Sequence, residues 1–333
     1  MGSTIILKYM TEIMDKVNTL LENTGLNKDN SIVAYRGESE DFGESKLKPS
    51  FFRGEQMNEM RLFETLKDYN ITENEADGYI KRAVDSQHYI AKSRLLDITF
   101  NILSSLYFAC DSDFSKKKDG IVYIFNFPSE IYFSINSEYI EKYYGSYLNK
   151  KNEKFIINRN FKVLGHAMQN KRIVAQQGGF IFFQGEASHF SPIPDEYYTC
   201  VTIDTDDKEE LIKELEYYFG LERSIIYPEK EYKSAVISKK LTQGIKEASF
   251  DNYLNVEINQ FFTILRNVLS VQKYDKEKNL TYSRRYFRKE KTDFMKNLIQ
   301  WSKSEYCKEE EIKEIVSGCK ENFDYLEWEF DIK

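Results

Sequence analysis

The block Arg94-Leu95-Leu96-Asp97-Ile98-Thr99, which runs within a few residues into Ser104-Ser105-Leu106-Tyr107-Phe108-Ala109, restricts most tightly what this chain can fold into. Leu95 to Thr99 has the composition of a short buried strand. A carboxylate inside such a run must find a partner or reach the rim of a sheet, because an uncompensated buried charge is costly. Asn101 can cap a helix through Cys110, its side-chain oxygen accepting amides of the first turn. Two other stretches share this character: Ala34-Tyr35-Arg36-Gly37-Glu38, and Arg172-Ile173-Val174-Ala175-Gln176-Gln177-Gly178-Gly179-Phe180. Each sets polar residues against an apolar run, and Arg, Asp and paired Gln beside Gly are the materials of a polar site.

Helical spacing of Ile6, Met10, Ile13, Met14, Val17, Leu20 and Leu21 predicts a leading amphipathic helix that stops at Gly25. Ser31 to Arg36 reads as a buried strand, and Gly37 to Ser45 as a loop. Residues 57–69 and 74–92 carry helical periods, the second closing at Gln87-His88-Tyr89. Gly120 to Phe127, Gly179 to Gln184 and Tyr198 to Asp204 favour strands. A helix is expected from Asp206 to Phe219 with Gly220 ending it, then an extended Ser224-Ile225-Ile226-Tyr227-Pro228 and a further helix to about Gln243. The organisation expected is a leading helix over 1–27, an α+β domain over 28–245 and a helical extension over 246–333.

With 333 residues, 41% of them hydrophobic, the chain can bury a substantial core. A formal charge of -7 argues against a generally basic nucleic-acid surface. Cys110, Cys200, Cys307 and Cys319 show no paired spacing and the three histidines lie apart, so reduced thiols and no metal are expected. No apolar run nears the ~20 residues that cross a bilayer, and no leader pattern is visible, so a cytoplasmic location without membrane contact is the expectation. Within the helical extension, residues 273–291 hold eight Lys or Arg against three Asp or Glu, and residues 305–333 ten acidic against four basic residues. Such opposed blocks form solvated faces able to pair with each other, with an anionic contact as the alternative.

Taken in order, Tyr35-Arg36-Gly37-Glu38, Leu47-Lys48-Pro49-Ser50-Phe51-Phe52-Arg53, Gln87-His88, Arg94 to Thr99 with Ser105 to Ala109, and Arg172 to Phe180 resemble the FRG domain, a family named for an aromatic-Arg-Gly motif. Gly220-Leu221 and Ile226-Tyr227-Pro228 fit its ending, so the resemblance spans roughly residues 30–240. Glu38 stands where Gln is usual, Phe42 where a loop Trp is, and Ile98 where an aromatic is. More weakly, the aromatic-Arg-Gly strand is similar to the NAD-binding arginine strand of arginine-type ADP-ribosyltransferases. That likeness implies an α+β fold with a small, split antiparallel sheet flanked by helices, ADP-ribosyltransferase-like, beside the all-helical extension.

It also implies NAD as cofactor and a reaction in which a carboxylate stabilises an oxocarbenium-like ribose. The transferase's third strand opens with a catalytic Glu, and Gln176-Gln177-Gly178 stands in its place. Glu38, Asp97 and Glu186 are the carboxylates able to substitute. The expected catalytic set is Arg36, Glu38, Asp97, Thr99 and Gln177. The expected nucleotide contacts are Tyr35, Arg36, Gly37, Arg53, His88, Arg94, Arg172, Gln176, Gly178 and Phe180. Arg36 would anchor a phosphate, because a guanidinium fork matches it and Gly removes the neighbouring side chain. Thr99 and Gln177 would touch ribose or nicotinamide. Each residue also has a structural alternative: Arg36 pairing with Asp97, the glutamines serving backbone groups at a strand entrance, His88 closing a helix, Glu38 a loop charge, and the other arginines salt bridges.

Three functions from different classes follow. One is an ADP-ribosyltransferase-like toxin or anti-phage effector, its acceptor a protein or nucleic acid. The others are a non-catalytic nucleotide sensor of a bacterial or phage accessory system, and an interaction protein in which the motif is only a structural network.

Overall fold

The computed structural model describes residues 4–54, 58–71, 78–111, 117–149, 161–165, 171–185, 190–242, 250–274, 280–301 and 309–332. Two compact units divide the chain, Met1–Ser238 and Lys239–Lys333. In chain order the first carries α1 (Ile5–Thr24), β1 (Ser31–Glu38), α2 (Glu59–Asp68), α3 (Tyr79–Ile90), β2 (Leu95–Thr99), α4 (Ile102–Cys110), β3 (Gly120–Pro128), β4 (Tyr132–Phe133), α5 (Glu138–Leu148), β5 (Phe161–Leu164), α6 (Lys171–Gln176), β6 (Gly178–Phe183), β7 (Tyr198–Ile203), α7 (Lys208–Phe219) and α8 (Arg223–Ile226). Helix α9 (Lys230–Thr242) crosses the division, and α10 (Phe250–Tyr274), α11 (Leu280–Trp301) and α12 (Glu309–Glu329) follow it.

The mixed α+β architecture and the helical C-terminal region agree with the expectation, but the sheet departs from it. Seven strands join in the order β4-β5-β6-β2-β1-β3-β7, and β4 pairs with β5 in parallel while every other neighbour pair is antiparallel. The sheet is therefore neither small nor wholly antiparallel. It is also not fully split: β1 and β2 meet at one register pair, Tyr35↔Thr99, and diverge on either side of it. Strands β4 and β5 are two and four residues long, too short for a period-2 signal to show in the sequence.

Burial sorts the first unit into three clusters. Ile6, Tyr9, Ile13 and Leu20 of α1 join Leu106 of α4, Leu211 and Leu215 of α7, and Tyr35, Val122, Ile124 and Val201 of β1, β3 and β7. Ala34, Leu96, Ile98, Tyr123 and Phe125 lie in a second cluster with Phe51, Phe52, Phe161 and Phe183. Alternation along a strand thus assigns Tyr35 and Gly37 to the α4 face of β1, and Ala34, Arg36 and Glu38 to the other. Helices α2, α3 and α5 bury Phe63, Ile80, Val84, Ile140 and Tyr144 against Leu95, Phe180 and Phe182 in the third.

Local chemistry accounts for the element ends. Gly25 takes φ 66° and closes α1, whose first amides, those of Ile5 and Ile6, are received by the Glu214 carboxylate at 3.2 and 2.7 Å. Gly220 ends α7 at φ 62°, with Leu221 donating back to the Leu215 carbonyl. Asn101 caps α4, accepting from the Leu103 amide at 2.8 Å. In the segment Ser224 to Pro228, expected to be extended, Ser224 to Ile226 instead belong to the helical turn α8, which ends before Tyr227 and Pro228. Its reason lies in Glu222, whose carbonyl accepts from Ile225 and Ile226 and whose carboxylate accepts from the Ser224 hydroxyl at 2.6 Å. In the second unit Phe261, Phe262, Phe294 and Phe323 form an aromatic core with Leu265, Leu269 and Phe287. There the opposed charge blocks meet, Lys291 reaching Asp324 and Glu327 at 3.4 and 3.1 Å.

Candidate functional site

Where β1 parts from β2 the ladder leaves polar backbone groups to be satisfied by side chains. Arg36 supplies one, its Nη1 donating to the Asp97 carbonyl at 2.7 Å, while its Nε donates to Glu38 Oε1 at 2.8 Å. Arg36 and Asp97 do not pair through their charges. The Asp97 carboxylate is solvent-exposed and accepts from Gln87 Nε2 at 2.6 Å.

A cavity of about 390 Å³ opens at this junction. Of the residues expected from the sequence, Tyr35, Arg36, Gly37, His88, Asp97, Thr99, Arg172, Gln176 and Phe180 line it together. They come from β1, β2, α3, α6 and β6, so four stretches separated by up to 145 positions share one hollow. Gln87, Phe108 and Tyr227 complete the polar and aromatic wall. Both Gln87 and Tyr227 lie inside the motif segments of the sequence, where neither carries an expected role.

Glu38, Arg53, Arg94, Gln177 and Gly178 are not among the lining residues. Glu38 is 3% exposed, held by Arg36 through one oxygen, and its Oε2 has no partner. Arg53 donates to the Lys48 carbonyl; burial, and next the adjacent charge of Arg36, lower its pKa. Arg94 is 0% exposed and bonds both oxygens of Glu59 and the carbonyls of Phe183 and Gly185. The rings of Phe51, Tyr147 and Tyr144 close around its guanidinium at 4.5, 4.9 and 5.4 Å. It serves the core in place of the expected anion contact. Gln177, expected at the start of a strand, sits in the turn between α6 and β6 at φ 47°, where its backbone amide bonds Val174 and its carbonyl accepts from Phe100. Glu186 lies outside the described residues, as does Cys307.

Several lining residues are engaged in structure as well. The Thr99 hydroxyl donates to the Gln176 carbonyl at 2.6 Å and accepts from the Asn101 amide, tying β2 to α6. Gln176 Nε2 donates to the Ile226 carbonyl at 3.0 Å. Gly37 is required by packing: a Cβ there would meet the Ser105 carbonyl oxygen, Ala109 N at 2.6 Å and Phe108 Cβ at 2.8 Å, all on α4. At Gly178 a Cβ would find only ordinary contacts at 3.6 Å.

Toward α8 the wall turns cationic. Arg172 lies over the Tyr227 ring, its Cζ 5.0 Å from the centroid. Burial, then the nearby Asp111, pushes the Tyr227 phenol well above its ordinary range, and burial alone pushes Tyr35 up to about 12. Both phenols are therefore neutral near pH 7 and act as donors or apolar faces. Glu229, unmarked by the sequence reading, stands 3.4 Å from His88 Nε2 and 3.9 Å from Arg172 Nη1. Its only sequence signal is its place directly after Tyr227-Pro228.

Residues 31–118 match the family model of the FRG domain. An FRG domain is present. The match contains Arg36, Gln87, His88, Asp97 and Thr99 and stops short of Arg172, Gln176 and Tyr227, so the cavity is built partly from the FRG segment and partly from chain that follows it. No curated protein and no solved structure matches the chain. Among the described residues no helix is long and apolar enough to cross a membrane, and no group of His, Cys, Asp and Glu could hold a metal ion.

Proposed function

We propose that the cavity beside the β1–β2 junction binds a phosphate-bearing nucleotide, NAD in the finer form of the reading. The observation that carries it is the meeting of Arg36, Asp97 and Arg172 around one hollow of about 390 Å³. That volume falls near the lower end of the ~300–1,000 Å³ of small-molecule sites. Two guanidinium groups serve the anion, and Tyr227 and Phe108 give apolar faces for a ring.

In this reading Asp97 is the surrogate carboxylate, since it is exposed at the cavity and Glu38 is enclosed by its pairing with Arg36. The C1′–N bond of the nicotinamide riboside breaks with its electron pair leaving on nicotinamide. Asp97 then offsets the positive ribose until an acceptor oxygen or nitrogen attacks. Binding without turnover is the second reading, favoured by the position of Gln177 outside the cavity and by the missing carboxylate at that place. Incubation with labelled NAD separates them: nicotinamide release that Asp97→Asn abolishes while binding persists supports transfer, and saturable binding without release supports the sensor. Absence of NAD binding refutes the NAD form of both. A toxin or anti-phage role rests on the resemblance alone; growth arrest on induction, relieved by Arg36→Ala, is its test.

A further inference from the structure

Glu229, which stands beside the lining residues His88 and Arg172, is more loosely held than Glu38. Arg36 and Glu38 share a directed hydrogen bond of 2.8 Å, whereas Glu229 stands 3.4 Å from His88 Nε2 and 3.9 Å from Arg172 Nη1, and its buried Oε2 has no hydrogen-bond partner. Both ring nitrogens of His88 and the Oε1 of Gln87 are likewise buried without a hydrogen bond. Of these atoms only the His88 nitrogens can donate to an anion; Glu229 Oε2 and Gln87 Oε1 are acceptors, so it is the donors of His88 and Arg172, and how Glu229 stands to them, that point to an anion. The donors at that wall are the Arg172 fork and the His88 ring, and the Glu229 carboxylate meets them in two long ion pairs of 3.9 and 3.4 Å.

We infer that Arg172 and His88 form an anion subsite for the ligand's phosphate, and that Glu229 is its resident counter-ion, displaced when the phosphate enters. This deepens the nucleotide reading and rests on it for the identity of the natural ligand, but not for the anion chemistry itself. A phosphate oxygen can approach the guanidinium plane bidentately, which the distant carboxylate does not achieve. Tyr227, lying against the Arg172 guanidinium, keeps that plane in place as the anion changes. The Glu229 carboxylate is 28% exposed and can turn toward solvent at little cost. Glu229 therefore competes with the ligand, and the sign of its substitution tells this from a direct ligand contact.

The test is titration calorimetry of the full chain with inorganic pyrophosphate at fixed ionic strength, for the unsubstituted protein, Glu229→Gln, Glu229→Asp and Arg172→Gln. Removing the competing charge is expected to tighten binding about threefold, the scale of a half-exposed ion pair, and the shorter Asp to tighten it less. Arg172→Gln is expected to weaken binding about tenfold. Equal or weaker binding by Glu229→Gln overturns the inference, as does absence of pyrophosphate binding to both the unsubstituted protein and Glu229→Gln. Should Glu229→Gln fold poorly by its melting curve, Glu229→Asp carries the same decision. The outcome separates from the nucleotide reading: NAD binding lost in Arg36→Ala with no gain in Glu229→Gln sinks this subsite alone. Pyrophosphate tightening without any NAD binding sinks the dinucleotide reading alone.

Discussion

Replacing Glu59 by Gln is expected to destabilise the first unit heavily while leaving the lining of the cavity at the β1–β2 junction unchanged. Arg94 is 0% exposed and Glu59 6%, and the carboxylate takes Arg94 through both oxygens and the Tyr144 hydroxyl at 2.6 Å. A side-chain amide in place of that carboxylate keeps one acceptor oxygen but turns an NH2 toward the guanidinium, leaving a buried cation without its counter-charge, received by that oxygen and the Phe183 and Gly185 carbonyls. Breaking one side of a buried pair costs about 3–5 kcal/mol, and the rings around Arg94 return part of it, so a loss near ~3 kcal/mol is expected. With an m value near ~3 kcal/mol/M for a unit of this size, the urea midpoint falls by about 1 M. Both tryptophans, Trp301 and Trp328, belong to the second unit, so the transition must be followed by tyrosine near-UV dichroism, with tryptophan emission reporting the second unit separately. The double variant Glu59→Leu, Arg94→Met should recover most of the loss, because apolar residues of similar volume replace a buried pair at little cost. A midpoint shift of less than ~0.3 M for Glu59→Gln, at unchanged m, would refute the claim that Arg94 is a core cation.

Gly37→Ala should cost about 1–3 kcal/mol by forcing a Cβ into the α4 backbone, while Gly178→Ala, which meets only contacts of 3.6 Å, should leave the melting temperature nearly unchanged. Cys200 is exposed whereas burial pushes the Cys110 thiol up to about 12, so Cys200→Ser should abolish a fast phase of thiol labelling at pH 8 and Cys110→Ser should not. Burial holds the Tyr35 and Tyr143 phenols up at about 12. Their raised folded-state values give stability that is whole below pH ~10 and lost as pH rises toward 12, so urea midpoints should drop across that window; a flat profile would contradict the burial. Arg36→Ala should lose nucleotide binding about tenfold or more and also loosen the β1–β2 junction, and Arg36→Lys should restore neither, because an ammonium cannot span Glu38 and the Asp97 carbonyl as the fork does.

The parts legible in sequence are those whose cause is local. Leu95–Thr99 followed by the Asn101 cap is strand then helix because propensity and capping act within a few residues. Gly25 and Gly220 stop their helices for the same kind of reason. Arg94 misleads a sequence reading because its partner, Glu59, lies 35 positions away and nothing beside Arg94 announces it. Gly37 suggests close phosphate approach, and the structure adds a demand of its own from the α4 backbone, which the sequence does not show crossing β1. Glu229 is silent because a lone carboxylate after Pro228 has no meaning until folding brings His88 and Arg172 to it.

The location of the cavity has a single structural origin. Side chains of β1 alternate between two cores, Tyr35 with α1 and α4, Ala34 with Phe125 and Leu96, so the strand cannot tilt to follow β2 beyond Tyr35↔Thr99 without exposing one of them. Strand β2 is held elsewhere, paired with β6 along its whole length from Leu95↔Phe182 to Thr99↔Gly178. Two strands fixed by different neighbours must part, and the parting leaves the Asp97 carbonyl without a ladder partner. An arginine is the side chain that can cross the gap, satisfy that carbonyl and still carry a positive charge to the opening. The structural role of Arg36 and the binding role proposed for it would thus be one arrangement, and its substitution is expected to disturb both. Asp97→Asn and Glu229→Gln leave that backbone bond intact, which makes them the variants from which ligand chemistry can be read separately from folding.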